Sequence, residues 1–145
     1  MVFWKAAWDM AKDYPFGKGF RGFNQIGYHY IPAHVNTGGK RTRTVHSTWF
    51  EALTEIGYIG LIALIAMLYS TFKLTQKIRK RAIDLKDTAM YNLTLSLEGA
   101  LLTYIVAMTF LNRMRGEILY WCILFICCAY NIYLIKTKIQ NKSTK

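Results

Sequence analysis

Three apolar blocks, all after residue 55, constrain this chain more than any other feature: Ile56 to Phe72, Tyr91 to Leu111 and Ile118 to Ile135. The charged residues collect between the blocks instead of alternating with the apolar ones. Such segregation suits a bilayer, with the charges at its two surfaces. At 1.5 Å of rise per residue the first block spans roughly 25 Å, slightly short of a ~30 Å hydrocarbon core. The helical segment from Thr48 onward makes up the difference. The chain therefore reads as an all-α integral membrane protein, with three transmembrane helices at about 56–72, 91–111 and 118–135.

Composition enters through its apparent conflict with that reading. The 145 residues are 53% hydrophobic and 15% aromatic, yet carry a net charge of +11. In a soluble domain, basic and aromatic together would suggest nucleic acid. Here the clustering assigns the charge to membrane surfaces, and no nucleic-acid partner is expected. Mean hydropathy is only +0.14 because the polar N-terminal segment dilutes the apolar blocks. The three cysteines, Cys122, Cys127 and Cys128, all lie in the last block. Their spacing suits neither zinc nor a disulfide framework, so they read as small hydrophobes. The start, MVFWKAAWDMAKDYP, lacks the apolar core and small-residue cleavage site of a signal peptide.

Residues 2 to 13 have helical periodicity. Phe3, Trp4, Ala7, Trp8 and Ala11 share one face, and Lys5, Asp9 and Lys12 the other. That face suits either a membrane-water interface or packing on the protein itself. Pro15 ends the helix, and PFGKGFRGF reads as a glycine-punctuated turn. Residues 20 to 45 show no sustained period and are expected to form a long exposed loop. The first membrane helix is expected to start near Ser47 or Thr48, where Thr48-Trp49-Phe50-Glu51 matches a capping box. A charged stretch, Lys73 to Asp87, separates the first two spans, and NRMRGE forms a tight turn between the second and third. The expected organisation is a 1–50 periplasmic loop region with short amphipathic helices, a 51–135 membrane domain and a basic cytoplasmic tail, 136–145.

Lysine and arginine counts do not settle orientation. The Lys73–Lys86 stretch and the tail together hold ten, and the opposite side nine. The density of the Lys77 to Arg81 cluster favours the cytoplasm for that end. The N-terminal loop then faces the periplasm, where its own basic residues suggest anion binding.

The most specific stretch is HSTWFEALTEIGYIGLIALI, from His46 to Ile65. A histidine stands at the N-terminus of a membrane helix, where free N–H groups and the helix dipole attract phosphate. Lys40, Arg41 and Arg43, just upstream, and Arg21 are candidates to pair with a diphosphate. A neutral histidine beside them can accept a proton from an attacking hydroxyl. The bland alternatives are a capping or surface histidine and a solvated or lipid-bound KRTR run. Glu55 reads alternatively as a helix-surface carboxylate one turn from Glu51, and Gly57 and Gly60 as small residues that allow close helix packing.

The order of His46, Glu55, Gly57 and Gly60 leading into an apolar helix resembles the C-terminal signature of the O-antigen ligase and polymerase family. WDMAKDYPFGKGF resembles the same family's upstream segment. Within the family, the two pieces are most similar to the O-glycosylation ligases associated with the exosortase system. The resemblance covers residues 4 to about 72. It implies transfer of a glycan from an undecaprenyl diphosphate carrier to an acceptor hydroxyl on a lipid, a glycan or a protein, at the periplasmic face of a bacterial inner membrane. It implies no metal and no nucleotide cofactor. His46 would position or deprotonate the acceptor, with Glu55, Gly57 and Gly60 on the supporting helix. The family's diphosphate-binding arginines come from earlier segments not present here. The expectation is therefore the C-terminal part of a larger multi-span fold, inactive alone.

Two further sets of residues bear on function. Glu98, inside the second span, is either functional or paired with a polar group on a neighbouring helix, the latter being favoured. His29 and His34 could join His46 at a metal, but no carboxylate or cysteine completes the set at a suitable spacing. Phe20, Phe23, Tyr28 and Tyr30 could stack on sugar rings or form a small core. Competing readings for the whole are a non-catalytic small membrane protein and a transporter fragment.

Overall fold

A computed structural model describes residues 2–35, 44–112 and 116–136. The elements are helical throughout: α1 (Val2–Asp13), α2 (Gly22–Ile26), a 3-10 turn (Gly27–Tyr30), α3 (Thr48–Asp84), α4 (Thr88–Phe110) and α5 (Glu117–Tyr130), which continues as a π-helical turn (Asn131–Lys136). No strand occurs among the described residues. Among the described residues, three helices are long and apolar enough to cross a membrane: Thr48–Asp84, Thr88–Phe110 and Glu117–Leu134. They coincide with the three apolar blocks of the sequence. The first helix also continues through the basic stretch as far as Asp84.

The chain divides into two compact units, Met1–Ile65 with Val106–Arg115, and Ala66–Ile105 with Gly116–Lys145. The first has a small core of Ala6, Ala7, Met10, Phe23 and Val45, against which Phe3, Trp4, Tyr14, Ile26, Tyr30, Ile31 and Phe50 pack. Trp4 stacks on Phe50 at 5.6 Å between ring centroids. Helix α1 is therefore packed on its own protein. Its buried face is centred on Ala6, Ala7 and Met10, while Trp8, expected on that face, is 48% exposed.

The long structureless loop expected over residues 20–45 is corrected in its first half. Gly22–Ile26 is α-helical and Gly27–Tyr30 is a 3-10 turn. The segment is too short to show a period, and the burial of Phe23 on α1 holds it. The aromatics divide accordingly: Phe23 is core, while Phe20 and Tyr28 are exposed.

The second unit is held by seams of heptad spacing. Leu68, Thr71, Thr75, Ile78 and Ala82 are buried along α3, Thr94, Glu98 and Leu101 along α4, and Leu119 and Ile126 along α5. The threonine hydroxyls donate back to carbonyls of their own helices: Thr71 to Met67, Thr75 to Phe72 and Thr94 to Met90. Their polar atoms are thus satisfied inside an apolar seam. Glu98 accepts a charge-assisted hydrogen bond from Arg79 Nη1 at 2.7 Å, which is the pairing favoured from the sequence.

The turn between α3 and α4 is closed by backbone geometry. Lys86 N–H donates to Ile83 C=O and Asp87 N–H to Ala82 C=O, the two bonds of a Schellman motif. Lys86 takes the left-handed position at φ 55. Asp87 then caps α4, its Oδ1 accepting from Met90 N–H at 3.0 Å, and its Oδ2 accepts from the Tyr133 hydroxyl.

Candidate active-site loop and the break in the first span

His46 lies two residues before the start of α3 and is exposed. Its backbone is left-handed at φ 50, a conformation uncommon outside glycine. Its Nε2 lies 3.0 Å from Thr44 Oγ1. Val45 on one side is buried in the core, and Ser47 on the other is buried at the helix start. The histidine is therefore turned outward between two fixed points. A strained residue held by its neighbours is a frequent mark of a functional position.

The head of α3 is tied to the end of α4. Ser47 N–H donates to Asn112 Oδ1 at 2.8 Å, Thr48 Oγ1 donates to Leu111 C=O at 2.6 Å, and Trp49 Nε1 donates to Thr109 Oγ1 at 3.3 Å. The capping expectation shifts by one residue. Glu51 N–H donates to Ser47 C=O, so Ser47 is the cap residue and the Thr48 hydroxyl reaches the neighbouring helix end. Asn112 and Thr109, which hold the helix carrying His46, were not singled out from the sequence. Asn112 was legible only as the first residue of a polar turn.

Farther along α3, the helix is broken at Gly57, whose φ of 72° and ψ of −168° are accessible to glycine alone. The PFGKGF segment fills the break. Lys18 N–H donates to Thr54 C=O at 2.9 Å, Gly19 N–H to Glu55 C=O at 2.9 Å, and Tyr58 N–H to Pro15 C=O at 3.0 Å. The loop thus supplies the partners that the interrupted helix lacks. Gly17 and Gly57 meet backbone to backbone: a Cβ on Gly57 would overlap Pro15 O and lie 2.5 Å from Phe16 C. The close packing expected of Gly57 is real, but its partner is this loop and not a second helix. At Gly60 a Cβ would meet the side chain of Ile56 in its own helix.

Glu55 is buried, with 7% of its surface exposed, so the surface-carboxylate reading is corrected. Its Oε1 accepts a hydrogen bond from Arg21 N–H at 2.8 Å. Arg21 is itself left-handed, at φ 54 and ψ 32, and exposed. Helix rise puts roughly 12 Å between Ser47 and Glu55, so Arg21 is held about two turns along α3 from the His46 end. Both belong to the same compact unit. Lys40, Arg41 and Arg43 lie outside the described residues. The His29 ring is tilted against Tyr28 at 3.9 Å between ring centroids, and His34 is exposed. Among the described residues, no three histidines, cysteines or carboxylates gather as a metal-binding group. Tyr30 donates to Asp13 Oδ2 at 2.6 Å, and this bond to a carboxylate pushes the phenol up to about 12.

Three apolar helices, one of them broken at Gly57 and splinted by a loop, define a multi-pass helical membrane protein. Residues 1–65, rather less than half of the chain, match the family model described as O-Antigen ligase. The match ends where the continuous part of the first unit ends. No curated protein and no solved structure matches the chain.

Proposed function

We propose that the protein serves glycan transfer from an undecaprenyl diphosphate carrier to an acceptor hydroxyl at the periplasmic face of a bacterial inner membrane. The observation that carries this reading is the exposed, left-handed His46 at the head of α3, inside the segment that matches the family. The acceptor oxygen attacks the anomeric carbon of the carrier-linked sugar. The bond from that carbon to the phosphate oxygen breaks, and undecaprenyl diphosphate leaves with the electron pair. His46 takes the acceptor's proton. The free base lone pair is on Nδ1 when the Nε2 N–H donates to Thr44 Oγ1; if Thr44 donates to Nε2 instead, Nδ1 carries the proton and that bond must open before His46 can act. Arg21, Lys40, Arg41 and Arg43 are the candidates to stabilise the diphosphate as its charge develops. Glu55, Gly57 and Gly60 shape the supporting helix. The acceptor is a lipid, a glycan or, as in O-glycosylation ligases, a protein.

The test is His46→Ala in the native host, with membrane insertion and glycan transfer both measured. The expected result is normal insertion with transfer abolished. Transfer that persists in His46→Ala removes the base assignment and favours a non-catalytic membrane protein.

A further inference from the structure

Among the large aromatic side chains that the first unit exposes, three lie around α1 and the Pro15–Phe20 loop, outside its core. Trp8 is 48% exposed, Phe16 77% and Phe20 64%. Their depth relative to the first span is fixed. Phe16 and Phe20 flank the loop whose backbone is hydrogen-bonded to Thr54, Glu55 and Tyr58, and the Trp8 ring meets the Tyr58 ring edge-on at 6.3 Å between centroids. From that same level, Ile56, Ile59 and Ile62 begin the exposed apolar ladder of the spanning helix. The aromatic side chains are thus held at the level where the spanning helix begins to expose apolar side chains.

Irregular backbone is not tolerated against lipid unless its polar groups are satisfied by protein. This loop meets that condition at its turn: Gly17 N–H donates to Tyr14 C=O, Lys18 N–H to Thr54 C=O and Gly19 N–H to Glu55 C=O. Exposed Lys5, Lys18 and Arg21 flank the aromatics. Aromatic rings with bordering lysine and arginine are the composition of a bilayer interface, with the rings at headgroup level and the cations among the phosphates.

We propose that α1 and the Pro15–Phe20 loop form a second, non-spanning membrane anchor. Trp8, Phe16 and Phe20 enter the lipid interface beside the break in α3, and Lys5 and Lys18 face anionic headgroups. The anchor does not depend on the transfer chemistry. It holds the first unit against the bilayer surface, the depth at which the phosphates of any lipid-linked molecule lie.

The test uses the full chain in nanodiscs of phosphatidylethanolamine and phosphatidylglycerol, with Cys122, Cys127 and Cys128 replaced by alanine. Phe16→Cys, Phe20→Cys and, as a control on exposed α2, Gln25→Cys carry an environment-sensitive nitrobenzoxadiazole label. Labels at 16 and 20 are expected to emit at shorter wavelength than the label at 25. They are also expected to be quenched more by shallow lipid-borne nitroxides than by a water-soluble nitroxide. Helicity by circular dichroism checks that each variant is folded, and hydrogen exchange of the loop in the unlabelled chain, slower in nanodiscs than in short-chain detergent, gives a second readout. Quenching at 16 and 20 by the aqueous reagent to the level of position 25 overturns the anchor. Protection from both quenchers overturns it as well, because it marks a covering protein.

Discussion

Gly57→Ala tests whether the break in α3 is as specific as its geometry implies. The substitution meets two obstacles. The φ of 72° and ψ of −168° exclude a side chain, at a cost of about 1–3 kcal/mol. The new methyl would also overlap Pro15 O and crowd Phe16 C and Gly17 N, which are backbone atoms and cannot rotate away. The cheapest escape is to straighten the helix and expel the loop. A straightened helix recovers its own hydrogen bonds at Thr54 and Glu55, so the expected damage is local and not global. The loop loses its partners for Lys18 N–H, Gly19 N–H and Arg21 N–H, each worth about 0.5–1.5 kcal/mol. Taken together, protection of these amides should fall by roughly 2–3 kcal/mol, or on the order of 30- to 150-fold in exchange rate. The assay is hydrogen exchange of residues 16–22 in nanodiscs. Gly19→Ala is the control: Gly19 is also left-handed, at φ +83, but a Cβ there meets nothing within 4 Å. If the two variants exchange alike, the close approach of loop and helix is wrong.

Three further outcomes follow from the second unit and from α1. Arg79→Ala should lower thermal stability in detergent by about 1–3 kcal/mol, because it strands the buried Glu98 carboxylate, whereas Glu98→Ala leaves a partly exposed arginine and should matter less; equal effects would contradict the burial difference. Asp87→Ala should cost about 1 kcal/mol through the lost cap on α4, and Lys86→Gly should gain about 1 kcal/mol by relieving the left-handed lysine, both read from thermal unfolding. Tyr30, raised to about 12 in the fold from an ordinary 10, keeps its proton longer when folded than when unfolded. The stability it contributes is complete below pH 10 and is lost as pH rises toward 12. Tyr30→Phe should flatten that alkaline loss in a pH series of unfolding curves.

The membrane architecture was legible because it rests on composition over long windows. A run of apolar residues is helical wherever lipid surrounds it, since every backbone group must be satisfied within its own segment. Periodicity likewise found α1, although it put Trp8 on the wrong side. The missed helix Gly22–Ile26 is shorter than any period can reveal and depends on Phe23 reaching α1.

The sequence by itself determined three spans, an amphipathic first helix, and a histidine ahead of a helix in a family pattern. Only the tertiary structure decided what holds that histidine and what Glu55 and Gly57 are for. The deciding bonds join residues far apart in the chain: Ser47 to Asn112, Arg21 to Glu55, Pro15 to Tyr58. Most of their donors and acceptors are backbone groups, which every residue carries and no local pattern distinguishes. A glycine in an apolar helix reads the same whether the helix continues through it or is broken there. The difference lies in a loop some forty residues earlier that supplies the missing partners.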